Sequence, residues 1–574
     1  MNMIARSCGV LGSLTALGWM TMTGPDVRAQ SFPQVQLPGR SQARSMAISS
    51  LGIVATEHPF ASQAGAMILA RGGHAVDAAL AANAVMGVVA PHMNGVGGDL
   101  FAIVYDAKTG QLHGVNASGW AGSGLTIGFL ETQGLAGVNG IHAVTVPGAT
   151  AGWGLLRDKF GRKPLSEILA AAIRHADEGF PVAEITAADW ADAEARLRLD
   201  AGAARTYLPN GRAPRVGQLF RNPDLAWTYR QIAAHGPDAF YKGDVATRLL
   251  RYLEKQGSTI TASDLAEFSA EWVEPVSTTY RGWTVHELPP NGVGIAALEM
   301  LNILEKYPLR EYGHNSVAAL HTMIEAKKLA YADMARHVGD PRFSKAPLPT
   351  LLSKAHADAR ARLIDPDSAN CRVPAAPVPA SAGDTTYLSV VDREGNMVSL
   401  IQSNYSEFGS GLVADGTGFV LHNRGTLFSS DPRHPNAVAP RKRPQHTIIP
   451  AFMTRENVRI AFGIMGGWNQ SQAHAQFVSN LVDHDMNIQA AMEAARFTKL
   501  TFAGCDVAVE SRIPETVLGA LRTKGHQIEL HGDFSGSMGG GQAVLRDFDA
   551  RINYGASDPR KDGAAVPEPI LTDF

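Results

Sequence analysis

The sequence predicts one α/β layered fold rather than two independent domains. Strand-like and helix-like blocks alternate along the chain, and the alternation continues on both sides of a segment rich in Pro, Ala and Ser at 365–384. No internal repeat breaks the chain into an array. At 574 residues, 45% hydrophobic and 18% charged, the chain is long enough to bury a substantial core.

The first element is a secretory signal. Arg6 stands in a short basic start, residues 10–22 are apolar and uncharged, and Val27-Arg28-Ala29 forms a small-residue cleavage site, so residues 1–29 are expected to be removed. The expected location is periplasmic or secreted. The apolar stretch is short against the roughly 20 residues of a membrane span, so no stable span is expected, with an uncleaved anchor as the alternative. Removal of 1–29 leaves Cys371 and Cys505, which an oxidising compartment permits to pair but which spacing alone cannot bring together.

Residues 61–90 are Ala-rich and broken at Gly72-Gly73, which predicts two helices, the second deeply buried. Asp77 and Asn83 interrupt its apolar run and favour a core helix over a membrane helix. The glycine cluster at 94–98 lacks the Lys-Ser/Thr of a phosphate loop and reads as close backbone packing ahead of a strand at 100–105. Helices at 165–175 and 318–337 make the middle α-rich. The segment 365–384 then has the composition of an exposed stretch open to proteolysis, and the chain after Thr385 turns strand-rich.

Residues 387–391 and 397–401 are apolar, β-branched runs around Asp392-Arg393-Glu394-Gly395-Asn396, a hairpin loop. Pairing Val391 with Met397 sets Ser403 opposite Thr385, and a one-residue slip would turn Ser403 to the other face. A break between Asp384 and Thr385 would give Thr385 a free amine beside its own hydroxyl. Such an amine, with an unperturbed pKa of roughly 7.7 to 8.0, can take the hydroxyl proton and activate the oxygen for attack on an amide. An ordinary surface hairpin is the plain alternative.

Other chemistries lack their sequence support: the chain has no HExxH, no CxxC and no GxSxG. A net charge of -3, with no basic stripe, argues against nucleic acid and for a small-molecule or peptide substrate. His446 stands among basic residues, a setting more often structural than catalytic. Gly466-Gly467 ends a strand and can aim backbone N–H groups at a developing oxyanion, although a glycine pair alone is more often a turn.

Together these segments resemble the γ-glutamyltransferase family of N-terminal nucleophile hydrolases. The resemblance runs through Gly52-Ile53-Val54-Ala55, residues 72–78, Pro91-His92 to Gly97-Gly98, Val146-Pro147-Gly148, the stretch 383–396, residues 408–411, Gly466-Gly467 and residues 556–563. It implies a four-layer αββα sandwich built jointly by a large subunit, 30–384, and a small subunit, 385–574, after self-cleavage between Asp384 and Thr385. Thr385 is then the nucleophile, Ser403 its supporting hydroxyl, and Gly466 and Gly467 the oxyanion hole; no metal or organic cofactor is implied.

The departures from the family concern the substrate. Where an Asn, a Gln and an Asp hold the glutamyl α-amino group, this chain has Tyr405, Arg424 and Leu427. The carboxylate-binding Arg falls near Ala117-Ser118-Gly119, the serine pair beside it becomes His446-Thr447, and the short loop between Phe428 and Pro444 implies that the lid of some members is missing. These substitutions look like the branch with cephalosporin acylase-like and oxamate amidohydrolase-like members. Arg424 and His446 become candidate partners for a terminal carboxylate on the acyl group, against the alternative that Arg424 is a structural ion-pair residue. The expected activity is acyl transfer to water or an amine from dicarboxylic monoamides lacking an α-amino group. The alternatives are a true γ-glutamyltransferase hydrolysing glutathione and a catalytically dead binding protein.

Overall fold

The structure, a computed structural model, describes residues 41–374 and 383–572 without the side chain of Asp384. The expected signal at 1–29 lies outside the described residues. Two seven-stranded sheets form the centre. One runs Ala564–Pro567, Ile53–Thr56, Asp384–Val391, Met397–Tyr405, Asp99–Asp106, Gln111–Ala117 and Glu271–Val273. The other runs Ala47–Ser49, Ile552–Ser557, Gly541–Asp547, Val458–Ile464, Ala451–Arg455, Trp283–Glu287 and Val276–Tyr280.

The side-chain alternation of the strands accounts for the layering. Phe101, Ile103, Tyr387, Val391, Met397 and Ile401 of the first sheet pack with Phe452, Ala461 and Val544 of the second, and this is the core between the sheets. The intervening residues Leu100, Ala102, Leu388, Val390, Val398 and Leu400 face the other way, onto helices Pro59–Ala70 and Ala75–Val89. On the outside of the second sheet, helices Ile295–Leu304, Val317–His337 and Gln470–Val482 cover Val285, Phe462 and Ile464. The result is the expected helix, sheet, sheet, helix sandwich.

Both polar interruptions of the buried Ala75–Val89 helix have partners. Asp77 closes a capping box by accepting from the His74 N–H at 2.8 Å, and Asn83 accepts from Trp153 Nε1 at 2.8 Å. No described helix is long and apolar enough to cross a membrane. The helix expected at 165–175 forms as two pieces, Leu165–Ile168 and Ala170–Glu178. Segments before and after Asp384 contribute strands to both sheets, so the two parts are interlocked through β-pairing and not merely docked.

Candidate active site

The hairpin register is the expected one from Val391↔Met397 to Thr386↔Gln402, and then it shifts, so that Asp384 pairs with Tyr405. Two residues, Ser403 and Asn404, therefore oppose the single residue Thr385. This is a β-bulge, the local device that bends a strand and re-aims a side chain. Both hydroxyls are buried, and Thr385 Oγ1 donates to Ser403 Oγ at 3.1 Å. Ser403 Oγ also accepts from the Tyr405 N–H at 2.7 Å, which fixes its position.

The glycine cluster brings backbone against this point. A Cβ on Gly98 would lie 2.4 Å from the Ser403 carbonyl oxygen, so only glycine fits there, as close packing predicts. Gly383 is similarly enclosed: its Cβ would lie 3.0 Å from the Gly467 Cα and 3.2 Å from the Tyr405 oxygen. The residue just before Asp384-Thr385 thus touches the glycine pair. Gly466 and Gly467, at φ 121° and 57°, form the turn between strand Val458–Ile464 and helix Gln470–Val482.

That turn rests on a buried ionic network. Asn469 Nδ2 donates to the Met538 carbonyl at 2.8 Å, and Arg496 Nη1 donates to the carbonyls of Met538 and Gly539 at 3.1 and 3.0 Å. Arg496 pairs with Asp558 at 2.8 Å, and Arg560 joins Asp558 to Glu510. The 556–563 motif is therefore a support for the glycine turn, a role its sequence did not disclose.

Asp99 was not singled out from sequence. It pairs in register with Ser403 on the neighbouring strand, so Thr385, Ser403 and Asp99 lie in a row across three strands. Its carboxylate accepts from the Gly119 N–H at 2.8 Å and from His446 Nε2 at 2.8 Å, with His422 Nδ1 in ion-pair range at 3.2 Å. Burial opposes its charge, but the two histidines hold the carboxyl well below the usual carboxylate range. Burial, helped by the Arg424 charge, pushes the His446 imidazole down to about 3, so it is neutral near pH 7. Because the ionised Asp99 accepts, the His446 proton is assigned to Nε2. Nδ1 is left as a buried lone pair with no hydrogen-bond partner, which suits a donor better than a carboxylate.

Arg424 is fully buried, with its guanidinium 4.4 Å from the Tyr405 ring centroid and Nη1 donating to Thr447 Oγ1 at 2.7 Å. The structure thus brings together three of the residues expected at the acyl pocket. Nε and Nη2 of Arg424 have no hydrogen-bond partner, and among the described residues no carboxylate lies in ion-pair range of it. The structural ion-pair reading therefore finds no partner. Burial lowers its pKa to about 10, with Asp99 opposing, which leaves it charged at neutral pH. Leu427 is buried in the same apolar cluster as Tyr405 and offers no charge. A separate cavity of 520 Å³, lined by Phe60, Met67, Ile168 and His175 on the helical layer, contains none of these residues.

The model of the gamma-glutamyltranspeptidase family matches residues 61–568. The chain is 36% identical to the glutathione hydrolase-like YwrD proenzyme of Bacillus subtilis (strain 168), over 90% of this chain and 99% of that one. It is 35% identical to the oxamate amidohydrolase proenzyme of Klebsiella pneumoniae, again over 90% of this chain and 99% of that one. Among solved structures, cephalosporin acylase from Bacillus halodurans superposes with a TM-score of 0.85 at 40% identity, covering 94% of this chain and 98% of that one.

Proposed function

This chain belongs to the gamma-glutamyltranspeptidase family and is an enzyme of its amidohydrolase and acylase kind, and from that premise we propose that it matures by cutting itself before Thr385 and then uses Thr385 as an N-terminal nucleophile. Relatives named as proenzymes support a precursor. In the uncut chain, Thr385 Oγ1 attacks the Asp384 carbonyl while Ser403 holds the hydroxyl. The peptide bond gives way to an ester, and water releases the Asp384 carboxylate and the free Thr385 amine.

That amine then serves as the base for each turnover. It takes the Oγ1 proton, the oxygen attacks the substrate amide, and Gly466 and Gly467 offer N–H groups to the oxyanion. The leaving amine departs with the proton, and water or an acceptor amine takes the acyl group from Thr385. The small subunit begins at Thr385 and stays interlocked with 30–384. The leader at 1–29 supports export to the periplasm or beyond.

The observation that carries the substrate class is Arg424, a buried cation with two unpartnered N–H groups and, among the described residues, no carboxylate in ion-pair range, Asp99 acting on it only from farther off. A buried unpaired charge is costly, so the site favours a ligand carboxylate. It disfavours an ammonium ion, since Leu427 and Arg424 replace the groups that would hold one. The proposed substrates are dicarboxylic monoamides lacking an α-amino group, with a small-molecule amine as the leaving group. Intact mass tests the maturation: the protein should appear as two polypeptides, the second starting at Thr385, and Thr385→Ala as one. A fully active uncut protein would refute it.

A further inference from the structure

We propose that the mature enzyme is a disulfide-linked pair of polypeptides, and that this tie opens by thiol attack on Cys371 with Cys505 as the leaving group. The proposal rests on the self-cleavage above, because Cys371 precedes the cut and Cys505 follows it. The two sulfurs are bonded across a sequence separation of 134 residues. The bond therefore joins the end of the large subunit to the small one.

The surroundings anchor the Cys371 segment to both parts. Within the large subunit, His321 Nε2 lies 2.8 Å from the Asp365 carbonyl, and across to the small one the Ala369 N–H donates to the Lys524 carbonyl at 2.7 Å. Lys524 Nζ donates to the Pro366 carbonyl at 2.6 Å, and the Asn370 N–H donates to Glu325 Oε2 at 3.2 Å. His321 Nδ1 also meets His526 Nε2 at 2.8 Å, which joins helix Val317–His337 to the small subunit. The segment carrying Cys371 is thus held in place on both sides of the interface.

The two sulfurs differ in environment. Cys371 is exposed, whereas Cys505 is 2% exposed and Lys328 Nζ lies 3.5 Å from its Sγ. Lys328 is also held by Glu325 Oε1 at 2.7 Å and by the Asn370 carbonyl at 3.2 Å. An incoming thiolate reaches Cys371 Sγ, forms a mixed disulfide there and expels Cys505 as a thiolate beside the Lys328 ammonium. A neighbouring cation stabilises a thiolate and makes it the better leaving group. A second thiolate of the reductant then releases Cys371. Two electrons pass from the dithiol, which ends as its own disulfide, and both cysteines end as thiols.

The test uses wild-type protein made under oxidising conditions and alkylated with iodoacetamide before denaturation. On a denaturing gel the expected result is one band at full length without dithiothreitol and two bands with it; two bands without reductant would overturn the tie. Thr385→Ala should give one band in both lanes. If wild type also stays single after reduction, the self-cleavage reading has failed, and recovery or loss of the linked Cys371–Cys505 tryptic peptide then decides the bond separately. Brief exposure to glutathione followed by alkylation tests the direction. Glutathione on Cys371 with an alkylated Cys505 is expected, and the reverse pattern would overturn the proposed polarity.

Discussion

Thr385 and Ser403 meet across a β-bulge, with the Thr385 hydroxyl donating to Ser403 at 3.1 Å in a fully buried setting. Removing one partner of such a buried bond costs about 1–3 kcal/mol, or roughly 5- to 150-fold in rate. Ser403→Ala should therefore slow both maturation and turnover by that factor. Thr385→Ser should still mature, and Thr385→Ala should not. A time course of band splitting on a reducing gel checks all three.

Arg424 is expected to set acyl preference. Arg424→Met keeps much of the stem and removes the charge, so kcat/KM for a glutaryl amide should fall by about 100-fold or more, through lost charge-assisted hydrogen bonds. The rate on a γ-glutamyl amide should fall far less or rise. Steady-state kinetics on the two substrates measures the change in their ratio.

A methyl group on Gly383 would press on Tyr405 and Gly467, which would have to give by a few tenths of an ångström. Gly383→Ala should slow self-cleavage by displacing the peptide that Thr385 attacks. Once the chain is cut, the variant should turn over at close to the wild-type rate. Intact mass against incubation time, followed by an assay of the matured fraction, separates these two effects.

Stability should decline on acidification from about pH 6.5. Burial lowers His58 and His286 to about 4, and His446, His474 and His526 to about 3. Each binds a proton in the unfolded chain below about 6.5 but stays neutral in the folded one, so each contributes up to about 1.4 kcal/mol of lost stability per pH unit until its folded pKa is reached. Burial raises Glu287 and Glu299, whose folded protons are favoured above about pH 4.5, and these two oppose the trend. The histidines outnumber them. Tm measured from pH 7.5 down to 4.5 should fall steadily.

The hairpin was legible because two β-branched runs flank a five-residue turn, and their period of two fixes the register as far as Thr386. The bulge beyond it was not, because it depends on the neighbouring strand at Asp99 and on the close approach of Gly98. Family resemblance made Tyr405, Arg424, His446 and Thr447 substrate-binding candidates, but the hydrogen bond from Arg424 to Thr447 was not readable from the chain. Asp99 was hidden at the end of a glycine cluster; its partner His446 lies 347 positions away, beyond any local pattern. The Cys371–Cys505 bond was unreadable for the same reason, since pairing at such separation is decided by packing.

The most direct test is the rate of p-nitroaniline release by the matured protein from glutaryl and γ-glutamyl p-nitroanilides, side by side, with Thr385→Ala as the blank. The two substrates differ by the α-amino group. A buried Arg424 with no carboxylate in ion-pair range among the described residues predicts faster release from the glutaryl compound and none from the blank. Faster release from the γ-glutamyl compound would contradict the account, because it would require an ammonium ion to be held beside a buried guanidinium.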